Sequence, residues 1–71
     1  MDAAPRPTLS PLALRALQLI GPAGLTEREA AERLNYSYEY VREVLERAYR
    51  QLGAGNARQA IYLATRLGLL R

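Results

Sequence analysis

The chain has no cysteine and no histidine. Without cysteine there can be neither a disulfide nor a thiolate metal site. Without histidine the commonest general base and the commonest zinc ligand are gone. Catalysis would have to rest on six glutamates, one aspartate and a few hydroxyls, none of them gathered into a recognisable constellation. Neither an enzyme nor a cofactor is expected. Lysine is absent as well, and all ten basic residues are arginine. Arginine carries the planar fork that grips phosphates and guanine edges. The abundant Ala, Leu, Gly and Pro offer a duller explanation, the coding bias of a GC-rich genome. Apolar runs long enough to cross a bilayer are missing too, and no charged-then-apolar leader pattern is visible. The expected setting is the cytoplasm, with no membrane partner.

What remains is 71 residues, enough for one domain. A chain this small buries only about 60% of its unfolded surface, so its stability is modest unless it pairs. Residues 1–8 contain Pro5 and Pro7 and little to bury, and read as a flexible arm before a domain over 9–71. Ser10 and Pro11 open a first helix, a cap followed by the imino acid that tolerates the first turn. Leu12, Ala16, Leu19 and Ile20 give its apolar stripe, Leu14 and Leu17 widen it, and Gly21 and Pro22 end it. Thr26 with Glu29 is a capping box for a second helix. Ser37 caps a third, which stops at Gly53. Asn56 with Gln59 is a weaker box for a fourth, ending near Leu67 before Gly68. The expected fold is all-α, with helices over about 10–20, 26–34, 37–52 and 56–67.

The stretch TEREAAERLNYSYEYVREVLERAYRQL, from Thr26 to Leu52, has the pattern of a helix-turn-helix. Ala30 and Ala31, followed by Leu34, fall where two helices must cross closely. Asn35 falls at the tight turn, where Asn is the best substitute for Gly in a left-handed backbone. Val41 and Val44 then face back onto the preceding helix. The second helix of such a unit usually enters a DNA major groove. Net charge is +3, a mild pointer to an acidic partner. The third helix is itself neutral, with Glu39, Glu43 and Glu46 against Arg42, Arg47 and Arg50. The basic excess lies later, at Arg58, Arg66 and Arg71.

With the fourth helix included, the chain resembles the LuxR-type (GerE-like) helix-turn-helix domains of bacterial transcription regulators. The resemblance is carried by LSPLALRALQLI, by LTEREAAERLNYS and, most specifically, by the closing LGAGNARQAIYLATRLGLL. It spans about residues 9–70. It implies a four-helix domain whose third helix reads DNA and whose fourth commonly pairs two copies. The family's base-reading positions fall on Arg42, Glu43 and Glu46. Its phosphate-contacting positions match Tyr40, Arg47, Arg50 and Gln51, to which Ser37 and Tyr38 at the helix start are added. On the fourth helix Ala57, Ala60, Ile61, Ala64 and Leu67 form a docking stripe. Tyr62, Leu63 and Leu70 are left over, so Tyr62 and Leu63, with Arg58 and Arg66, are the expected pairing surface.

Some positions depart from the family pattern. Leu12 and Ala13 replace an arginine-glutamate pair, and GPAGL is one residue longer than the usual connection. Tyr40 stands for a common Thr and Val44 for a common His, while Glu46 and Gln51 occupy frequently basic sites. Each contact also has a plainer alternative. Arg42 can grip guanine through two bonds or pair with Glu39 on a solvated face. Glu43 can accept from a cytosine amino group, yet Glu43–Arg47 and Glu46–Arg50 are well-oriented surface pairs. Tyr36 and Tyr49 are expected to pack in the core with their hydroxyls at the surface. Tyr38 and Tyr40 either donate to phosphate or cover apolar neighbours. The reading is a sequence-specific regulator, dimeric through its fourth helix, touching or blocking RNA polymerase, either alone or as a piece of a longer regulator. Its rival is an interaction module of the same fold that binds another regulator, polymerase or a sigma factor instead of DNA.

Overall fold

The computed structural model describes residues 8–70; the arm expected over 1–8 therefore lies outside the described residues except for Thr8. Four helices follow, α1 (Pro11–Ile20), α2 (Glu27–Leu34), α3 (Tyr38–Leu52) and α4 (Ala57–Arg66), with no strand among the described residues. Each starts on a side-chain cap. Ser10 Oγ accepts from the Ala13 amide at 3.1 Å and Ser37 Oγ from the Tyr40 amide at 3.1 Å. Thr26 and Glu29 form both halves of the capping box, at 3.0 and 2.9 Å. At α4 the expected box is altered. Asn56 Oδ1 accepts from Gln59, but Gln59 Oε1 accepts from the Gly55 amide, one residue before the cap.

Three helices end alike. At Asn35, Gly53 and Gly68 the chain turns left-handed, with φ of 66°, 75° and 78°. In each case the next amide bonds back to a carbonyl five residues earlier: Tyr36 to Ala31, Ala54 to Tyr49, Leu69 to Ala64. This closure satisfies carbonyls that a helix end otherwise leaves orphaned. Asn35 is the only non-glycine with positive φ among the described residues. The turn between α2 and α3 is thereby held to Asn35, Tyr36 and Ser37.

α1, α2 and α3 pack on one another, and α4 packs on α3. The buried core comprises Leu9, Ala13, Ala16, Leu17, Ala30, Ala31, Val41, Leu45, Ala48, Ala60, Ala64 and Leu70. Ala30 and Ala31 therefore do occupy the close crossing. The face of α1 differs from expectation: Ala13, Ala16 and Leu17 are buried, whereas Leu12 and Leu19 are only half-buried. Small side chains let the neighbouring helices approach there, and the larger leucines take the flanks. Leu70, expected to be left over, is 5% exposed and belongs to the core. Tyr36 is the reverse case, 50% exposed and outside it. Tyr49 is half-buried and packs against the core as expected. Val41 is fully buried, while Val44 is half-buried and borders a groove against the start of α1.

Two backbone positions carry this arrangement. Replacing Asn35 by Ala should lower stability by about 1 kcal/mol, since Ala pays the full left-handed penalty, whereas Asn35→Gly should hold it; urea unfolding of both variants reads the difference. At Gly21 an added Cβ would meet Ile61 Cγ2 at 2.9 Å and the Leu17 carbonyl at 3.1 Å. Gly21→Ala should therefore force α1 and α4 apart and cost about 1–3 kcal/mol by thermal unfolding, although its φ of −79° suits any residue.

Candidate nucleic-acid interface

The inner face of α3 is fixed by Val41, Leu45 and Ala48, all buried. At 3.6 residues per turn its remaining side chains divide into a ridge and two flanks. Glu39, Glu43 and Arg50 form the outward ridge and are exposed. One flank faces the start of α2 and carries Tyr38, Arg42, Glu46 and Tyr49. The other carries Tyr40, Val44, Arg47 and Gln51. With Thr8, Leu9 and the first turn of α1 it encloses an open groove of about 530 Å³.

On the α2 flank, two neighbouring residues of α2 reach along α3 in different directions. Glu27 Oε2 accepts from the Tyr49 hydroxyl at 2.9 Å. Arg28 lies over the ring of Tyr38, its guanidinium carbon 4.2 Å from the centroid. Burial, and then the bond to the Glu27 carboxylate, push the Tyr49 hydroxyl well above the usual tyrosine range. Arg42 donates from Nε to Glu46 Oε2 at 3.2 Å. It is the only ion pair among the described residues. Glu46 foremost, and then the nearby Tyr38, bind the Arg42 proton more firmly than usual. The pairing differs from expectation: Arg42 takes Glu46 four residues on, not Glu39, and neither Glu43–Arg47 nor Glu46–Arg50 forms. Reaching forward one turn lets the guanidinium meet Glu46 on the α2 flank.

The expected contact residues are thus dispersed around α3 in a definite order. Glu43, expected to read bases, is on the ridge, and Arg42 and Glu46 are joined on the α2 flank. Among the expected phosphate contacts, Ser37 is the cap of α3 and Tyr38 lies half-buried beneath Arg28. Tyr40 is 47% exposed and packs on Tyr36, ring centroids 5.3 Å apart. Arg47 and Gln51 border the groove with α1, and Arg50 stands on the ridge. The four expected pairing residues share one side of α4. Arg58, Tyr62 and Arg66 follow one another at helical spacing and are exposed, with half-buried Leu63 beside them. Arg66 Nη1 donates to the Tyr62 hydroxyl at 3.1 Å.

Sequence reasoning alone does not find Arg28. Its only local signal is an odd one, a cation in the first turn of a helix, where the macrodipole disfavours positive charge. Among the described residues no carboxylates converge in the way a metal ion requires, and no helix is long and apolar enough to cross a membrane. No protein-family model matches the chain, and no curated protein matches it in sequence.

The bridge between Tyr49 and Glu27 is open to a direct check. Tyr49→Phe should cost about 1–2 kcal/mol, because it removes a hydrogen bond to a charged acceptor. A raised folded-state value for Tyr49 means stability is fully present below the unfolded tyrosine value of about 10 and drains away as pH climbs above it. The alkaline limb of a stability–pH profile should therefore be shallower in the Phe variant than in the wild type.

Proposed function

We propose that the chain is a DNA-binding transcription regulator of the LuxR helix-turn-helix type, with α3 lying in the major groove. The observation that carries this reading is the unit formed by α2, the left-handed Asn35 turn and α3. It holds a helix of 15 residues, about 22 Å long, with its inner face buried and its outer face free. A helix of that kind fits a groove about 12 Å wide.

Charge placement supports the same reading. Counted along the sequence α3 is neutral, but each of its flanks carries a cation. Arg42, joined to Glu46, and Arg28 from α2 lie on one flank and Arg47 on the other, with Glu39, Glu43 and Arg50 on the ridge between them. A helix in the major groove meets phosphates on both sides and base edges in the middle, where a carboxylate can accept from a cytosine amino group. The reading includes the cytoplasm as its setting, no cofactor and no catalysis. It also includes a twofold pair formed through Arg58, Tyr62, Leu63 and Arg66 of α4, which would set two α3 helices on half-sites about one DNA turn apart.

A second reading has an observation of its own. The exposed Tyr36–Tyr40 pair and the acidic ridge suit a basic, apolar protein surface. In that case the domain would bind another regulator, RNA polymerase or a sigma factor, and not DNA.

Fluorescence anisotropy with a random-sequence duplex at low and moderate salt separates the two. The regulator should bind with a Kd on the order of 1–100 μM and lose affinity as salt rises. Replacing Arg47 and Arg50 together by Ala should lower the log–log salt slope by about 0.9 for each phosphate that is no longer neutralised. Absence of binding at low salt would overturn the regulator reading in favour of the interaction module.

A further inference from the structure

One residue in the first turn of α2 takes no part in its cap. Thr26, Glu27 and Glu29 all serve the local structure: the first and last close the capping box, and Glu27 takes the Tyr49 hydroxyl. Arg28 stands between them with its charge opposed to the helix dipole. Among the described residues it makes no ion pair, although Glu27, Glu29 and Glu32 are close in sequence. Instead its side chain crosses to α3 and lies on Tyr38, the first residue of that helix. Arg42 stands one turn further along α3 on the same flank, and its partner Glu46 is an exposed side chain half open to solvent.

One guanidinium is thereby held on the ring at the start of α3, and a second stands one turn along the same flank. Neither guanidinium is buried, and among the described residues Arg28 stays unpaired although the first turns of the two helices also carry Glu27, Glu29 and Glu39. Stacking on Tyr38 fixes the Arg28 side chain before any ligand arrives, so little rotamer freedom is left to lose on binding. The fork of donors stays open at its edge while its face is covered.

We propose that Arg28, held on the ring of Tyr38 and acting with Arg42, is a preformed clamp for one phosphate of the DNA backbone. The clamp rests on the regulator reading above and adds a contact from α2 to those expected of α3. It anchors the strand beside the α2 flank while Arg47 meets the strand on the opposite side. Arg28 contributes affinity and orientation without reading sequence.

The test uses the full chain with a random-sequence duplex, the same binding measured from about 50 to 200 mM salt, and thermal unfolding of every variant. Arg28→Ala should weaken binding at low salt, and its slope should be shallower by about 0.9. Over that fourfold range in salt the advantage of the wild type should shrink about threefold to fourfold. Arg28→Lys keeps the charge and should keep the slope. Tyr38→Leu leaves the charge but removes the platform, and should weaken binding with the slope preserved. If Arg28→Ala lowers only the melting temperature and leaves slope and affinity unchanged, Arg28 is structural and the clamp is wrong while the regulator reading stands. If the wild type fails to bind DNA at low salt, both fall together.

Discussion

How closely four short helices can approach one another governs the rest of this structure. Seven of the twelve buried hydrophobic side chains are alanine. Alanine brings little apolar area, but it allows backbones to come near, and a helix of only eight residues such as α2 can then touch both α1 and α3. The leucines and the valine at Leu17, Leu45 and Val41 fill what space remains. Because burial per residue is small, the ends of the helices matter more than in a larger domain. All four starts have side-chain caps and three ends share the left-handed closure, each cap contributing about 1 kcal/mol. Gly21 belongs to the same logic, since it gives Ile61 room to meet the end of α1.

This close packing divides α3 into a side that cannot change and a side that is free. Val41, Leu45 and Ala48 are locked by their neighbours, so the ridge and flanks are presented at fixed angles. The bond from Tyr49 to Glu27 and the stacking of Arg28 on Tyr38 tie the start of α2 to two points along α3. A small-residue crossing can slide or rotate, because alanines interlock poorly; two polar ties of different reach resist that rotation. Charge follows no such division: Arg42 and Arg47 stand on the flanks, but so does Glu46, and Arg50 shares the ridge with Glu39 and Glu43.

Much of this is legible in the sequence, and the exceptions share a cause. Caps and stops are local chemistry, so Ser10, Thr26, Ser37, Asn35, Gly53 and Gly68 are found where their residue types point. Which face of α1 is buried depends on what packs against it, and a rule that ranks Leu above Ala favours Leu12 and Leu19 over Ala13. Leu70 follows the last helix, and only the left-handed turn at Gly68 brings it back to the core. Tyr36 lies in the interhelical turn, so no helical period could assign it a face; the turn directs it to Tyr40 instead. Along α3 the helical period does place Arg42 outside the core. It does not give Arg42 its partner, because Glu39 and Glu46 both stand about one turn from it. The contacts that cross between helices are the ones a single-chain pattern does not contain.

An alanine-rich core has a functional consequence as well. A domain with little apolar area to bury has a small stability reserve, and ligands that bind only the folded form then account for a large share of its persistence. In the regulator reading two such ligands exist, duplex DNA on α3 and a second copy on α4. Both would act on the same core, because α3 contacts every other helix, α4 included. Occupying one surface would firm the helix against which the other is built, a coupling that needs no change of shape, only a less mobile α3. In that reading the flank arginines of α3 and the free side of α4 would be two halves of one device: the weak core would make each half depend on the other, and DNA with two half-sites would be the partner able to engage both.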